Sequence, residues 1–80
     1  MNDRSVLDQI TELAEEERQL REHAEGRGLN TQEEARLQEL ELHLDQCWDL
    51  LRQRRGRRHA GQDPDDAHVR DAGTVERYQQ

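Results

Sequence analysis

A chain of 80 residues has room for one small domain, and because charged residues (39%) outnumber hydrophobic ones (30%) it can bury only a thin apolar seam. No apolar run approaches the ~18 residues of a membrane span, and the single Cys47 excludes an internal disulfide. The net charge of −7 is segregated along the chain: residues 1–50 carry −9, residues 51–60 carry +5 and residues 61–80 carry −3.

The opening Met1-Asn2-Asp3-Arg4 runs straight into an amphipathic pattern with no apolar leader block, so a cytoplasmic protein is expected. A first helix is predicted from Asp3 or Ser5 to Glu25, with residues 5–25 as its body. Val6, Ile10, Leu13, Glu17 and Leu20 recur at alternating four- and three-residue steps, one face of a helix. Ser5 with Asp8 gives it a weak capping box, and neither Gly nor Pro interrupts it. Gly26 and Gly28 supply C-terminal stops in a turn over residues 26–31. A second helix is predicted over residues 32–58. Thr31 and Glu34 form a capping box before it, and Glu33 and Glu34 suit its positive N-terminal dipole.

Leu37, Leu40, Leu44, Cys47 and Leu51 repeat the period of the first helix in mirror order. Folding the chain back pairs Leu20 with Leu37, Glu17 with Leu40, Leu13 with Leu44, Ile10 with Cys47 and Val6 with Leu51. The two sets of spacings and the turn residues agree on an antiparallel αα-hairpin over residues 1–58, an all-α fold. Leu13, Leu20, Leu40 and Leu44 are expected to be its most buried side chains.

Residues 59–80 show no sustained period and read as a mostly irregular, flexible acidic tail. Asp63-Pro64-Asp65-Asp66 has turn chemistry, and a short docked segment around residues 74–78 is the most structure the pattern supports. Leu7, Ala14, Leu42, Trp48 and Leu50 flank the seam and would remain wet in a lone hairpin. A homodimer assembling as a four-helix bundle would cover them. A tail packed on the hairpin would do so at lower cost.

The sharpest departure from the surrounding sequence is the run Arg52, Arg54, Arg55, Arg57 and Arg58. In the hairpin register position 52 faces position 5, so the run lies past the expected end of the first helix and needs no apolar face. Its charges suit a helix C-terminus, or they bind an acidic partner together with the neighbouring Trp48. Nucleic acid is possible but not favoured, because the adjacent hairpin is strongly acidic and the run has no stacking aromatics.

No catalytic, cofactor or metal site is expected. His43 and Cys47 stand at ligand spacing, i and i+4, but no third ligand falls near them. Glu17 sits on the seam as a partly wet flank residue near Arg21, and no second group converges on it to make an acid–base pair. The glycines at 26 and 28 lack the preceding strand that a nucleotide-binding loop requires.

The block Leu40 to Arg58, and within it Leu44-Asp45-Gln46-Cys47-Trp48-Asp49-Leu50-Leu51-Arg52-Gln53-Arg54-Arg55, resembles a small actinobacterial family of unknown function, DUF 2630. Asp8-Gln9-Ile10, Glu15 to Leu20 and the ending Val75-Glu76-x-Tyr78 are similar to that family too. The resemblance implies an actinobacterial cytoplasmic protein, in keeping with an all-arginine basic complement, and carries no activity to transfer. Gly56 departs from the pattern and leaves the helix end open between Gly56 and Gly61. A non-enzymatic interaction or regulatory protein is the expected function, with a nucleic-acid or ribonucleoprotein binder using residues 52–58 as the alternative.

Overall fold

The computed structural model describes residues 2–79, with the backbone alone for residues 76–79. Two long helices, α1 (Asp3–His23) and α2 (Thr31–His59), pack as the expected hairpin. A 3₁₀ turn (Pro64–Asp66) and a short helix, α3 (Ala72–Gln79), follow and both lie against α2. There is no strand among the described residues.

The helix ends differ from the sequence expectation by a shift of cap. Asn2, not Ser5, caps α1: its side chain accepts the Ser5 N–H at 2.8 Å, which sets the helix start at Asp3, the earlier of the two expected positions. Asn30, not Thr31, caps α2. Its side chain accepts the Glu33 N–H at 2.9 Å while Glu33 accepts the Asn30 N–H at 3.0 Å, so the capping box sits one residue before the expected pair. Arg27 bridges back to Glu33 at 2.6 Å and holds its carboxyl down at about 2, with the Asn30 N–H adding to the effect. Gly56 does not end α2. The helix runs through it to His59, and Gly61, at φ +73°, supplies the left-handed residue that terminates the chain's helical path.

Within the hairpin the register is the one the spacing dictates. Val6, Ile10, Cys47, Leu50 and Leu51 form one buried cluster, with Leu13, Leu44 and Ala67 packed against it. Arg21 reaches Glu41 at 3.0 Å and Arg36 reaches Glu16 at 2.5 Å, two ion pairs that stitch α1 to α2 on opposite sides of the seam. The centre of burial is not where the sequence put it. Leu40 is sealed as expected, but Leu13, Leu20 and Leu44 are only half-buried, while Val6, Leu51 and Val75 are closed completely or nearly so. At the base, where α1 starts and α2 ends, the tail adds Ala67 to the buried cluster, while Leu40 and Val75 are sealed apart from that cluster.

The tail is correspondingly more regular than an irregular acidic strand. Asp63 caps the 3₁₀ turn by accepting the Asp65 N–H at 2.9 Å, and Asp71 opens α3 by accepting the Thr74 N–H at 2.8 Å. Between them the backbone is tied to α2: Gln53 donates to the His68 carbonyl at 2.8 Å and Gln46 to the Arg70 carbonyl at 3.3 Å. The docked segment expected around residues 74–78 falls in α3. Val75 is its buried anchor, and Tyr78 lies outside the residues whose side chains are described.

Candidate functional site

The arginine run divides. Arg54 is buried at 5% exposure and cannot meet a partner. Its Nε donates to Asp3 Oδ1 at 2.7 Å, and its Nη1 donates to Asp65 Oδ1 at 3.0 Å and to the Pro64 carbonyl at 3.2 Å. Arg58 grips the same Asp3 with two hydrogen bonds, at 2.9 and 2.5 Å. One carboxylate thus receives two guanidinium groups, and the bonds from Arg58 and then Arg54 hold it well below the usual carboxylate range. The expectation that Arg54 and Arg58 touch no core is corrected by the earlier start of α1. Asp3 is in the helix, and positions 3 and 54 meet in the same register as Val6 and Leu51.

A second buried charge, Asp49, completes the joint. It accepts from Gln53 at 2.9 Å and lies 3.6 Å from Arg70 and 4.0 Å from the exposed Arg52. No buried side-chain nitrogen or oxygen among the described residues lacks a hydrogen-bond partner, so the joint is closed as built. Sequence reasoning passed over Asp3, Asp49 and Asp65 because acids are common in this chain. The available signal was register: Asp3 falls opposite Arg54 in the same pairing as the seam. Arg55 and Arg57 form no ion pair among the described residues, and Arg52 keeps its charge at the surface.

The two sides of the hairpin also differ. On the side to which the tail adds Val69, an open groove of about 450 Å³ has Leu13, Cys47 and Leu50 at its floor and Glu12, Glu16 and His43 among its lining residues. Cys47 offers its thiol to Gln9 Oε1 at 3.7 Å, and burial pushes the thiol pKa up, so it is a packing residue and a poor nucleophile. Among the described residues no three His, Cys, Asp or Glu side chains are grouped to hold a metal ion. On the other side, marked by the Arg21–Glu41 pair, Leu7 and Trp48 are the helices' large apolar side chains that stay in water, at 40% and 43% exposure. At 100° per residue Ala14 shares the side of α1 that carries Leu7. The tail covers Leu50 and not these residues, so Leu50 alone of the expected wet flank set is buried.

No helix among the described residues is long and apolar enough to cross a membrane. Residues 2–80 match a family described as "Protein of unknown function (DUF2630)". The chain is similar to uncharacterized proteins of Mycobacterium tuberculosis and Mycobacterium bovis, each 46% identical over 77 residues that span 95% of this chain and 88% of the relative. No solved structure matches it.

Proposed function

The chain belongs to the DUF2630 family, and we propose that it is a non-enzymatic cytoplasmic protein that acts by protein–protein association, through the side of the hairpin that carries Trp48 and Leu7. The observation that carries this reading is the pairing of two large exposed apolar side chains, Leu7 and Trp48, on one side of the hairpin, while on the other side Leu50 is buried beside an open groove. Isolated exposed apolar residues need no explanation, but Trp is costly to leave in water and is enriched at interface centres. The alternative, a nucleic-acid site on the arginine run, is weakened because Arg54 is buried and Arg58 is engaged with Asp3, which leaves Arg52, Arg55 and Arg57 as the charges of the run not held by that carboxylate. Three cations beside a −9 hairpin make a poor electrostatic footprint.

The test is hydrodynamic. At micromolar concentration the chain, of 9.5 kDa, should sediment at about twice its mass, and Trp48→Glu should sediment as a monomer with the same helicity. A wild-type chain that stays monomeric and compact at every concentration, with Trp48 fully wet, rejects association through this side.

A further inference from the structure

The exposed side of α2 has a charge order that is its own complement. Glu41, Asp45, Trp48, Arg52 and Arg55 stand at steps of four, three, four and three residues. At 100° per residue they fall within an arc of about 80°, a single stripe along the helix. The stripe reads acid, acid, tryptophan, base, base. Relative to Trp48, Glu41 lies seven residues before and Arg55 seven residues after, while Asp45 lies three before and Arg52 four after. Turning the helix end for end about Trp48 therefore sets each acid against a base.

We propose that this stripe is the interface with a second copy of the chain: α2 packs antiparallel on α2 of the partner about a two-fold axis through Trp48, with Glu41 opposite the partner's Arg55 and the reverse pair generated by symmetry. The inference rests on the association reading above and names its occupant. Three observations support it. A two-fold interface must be self-complementary, and this stripe is. Trp48 and Leu7 give the patch an apolar centre, since position 9 of α1 stands level with position 48 and Leu7 is two residues away in the hairpin register. Arg55 has no ion-pair partner among the described residues, and Glu41, paired with Arg21 at one oxygen, is half-exposed and has acceptor capacity to spare. The Arg21–Glu41 pair also fixes the Glu41 carboxylate on this side of the molecule. A basic partner protein would meet only half of the stripe and an acidic one only the other half, whereas a second copy satisfies both.

The experiment is a charge-reversal mixture. Arg55→Glu and Glu41→Arg are each purified as full chains and sedimented alone and as an equimolar mixture, at low and high salt. Each variant alone brings like charges together twice across the axis and should raise the dimer dissociation constant roughly tenfold or more at low salt. In the mixture, each of the two contacts joins opposite charges, so dimer should return to near the wild-type level. Trp48 is the chain's only tryptophan, so its emission reports the same equilibrium, blue-shifting as wild-type dimer forms and red-shifting in either variant alone. A wild-type dimer indifferent to both reversals overturns the stripe but leaves association standing. A mixture that fails to recover overturns the antiparallel register. A wild-type monomer overturns both readings. Circular dichroism on each variant separates a lost interface from a lost fold.

Discussion

The base of the hairpin and its middle are made from the same pattern and end in different states. At the base, Val6, Ile10, Cys47, Leu50 and Leu51 are closed from water; in the middle, Leu13, Leu20, Leu37 and Leu44 keep part of their surface wet, and Leu40 is the exception. Period and residue type do not separate the two groups. At the base the tail brings Ala67 onto the cluster and closes the Arg54–Asp3–Asp65 joint beside it, and Leu13 and Leu44 pack only at the cluster's edge. Two helices meeting along one line shield each other over a narrow angle, so completion of a core needs a further layer. The difference teaches that seam position gives direction of burial, and depth comes from whatever lies on the flank.

The largest test of that contrast is a pair of truncations. Leu51→Ala should cost about 2–5 kcal/mol, the range for deleting a fully buried leucine. Leu13→Ala should cost less than about 2 kcal/mol, because part of its side chain is already in water. Urea denaturation of both variants measures the two numbers, and equal losses would dissolve the distinction between base and middle.

The next effect separates neighbours in sequence. Arg54→Gln leaves the carboxylates of Asp3 and Asp65 short of a shared partner and should lower the melting temperature by several degrees; Arg55→Gln should leave it unchanged. The Asp3 carboxyl sharpens this by pH. Its pKa in the folded chain lies below the ordinary 3.8, so its contribution is complete above that value. As the pH falls below 3.8 the unfolded chain takes up the proton first and the contribution is lost. Asp3→Asn should therefore lower stability at neutral pH and flatten the acid limb of the stability curve below pH 4. Acid unfolding of the two proteins with parallel limbs would remove Asp3 from the joint. The smallest effect belongs to the loop end, where Asn30→Ala should cost about 1 kcal/mol through loss of one cap, read from the same urea curves.

The register was legible because it is a property of spacing alone: the pairing of Val6 with Leu51 carries Ile10–Cys47 and Leu13–Leu44 with it, whereas Arg54–Asp3, which obeys the same arithmetic, goes unread when α1 is started at Ser5. The helix starts were legible only to within a residue or two, since Asn2, Ser5, Asn30 and Thr31 all have capping side chains and the choice among them depends on backbone conformation. The order in the tail was not legible. Buried Val75, Ala67 on the core cluster, two glutamine-to-carbonyl bonds and the contacts of Arg54 and Asp49 with the tail hold it on α2, and none of these creates a period. Two of the five arginines in the run, Arg54 and Arg58, escape the sequence reading for a related reason. An arginine that closes a core and one that faces water are the same letter, and only the partner opposite tells them apart.

The place of the Arg54–Asp3–Asp65 joint has a consequence for how the chain folds. A hairpin that zips from its turn meets Glu16–Arg36 after closing a span of 20 residues and Asp3–Arg54 after one of 51. Loop entropy grows only logarithmically, so the longer closure costs about 0.8 kcal/mol more than the shorter one, less than burying a single leucine returns. Val6 and Leu51, closed almost completely, are thus also among the seam residues most remote from one another along the chain. A folding nucleus gains more by forming at the far end than it loses in reach, and a chain caught with only its turn end zipped would hold half-wet leucines and little reason to stay so.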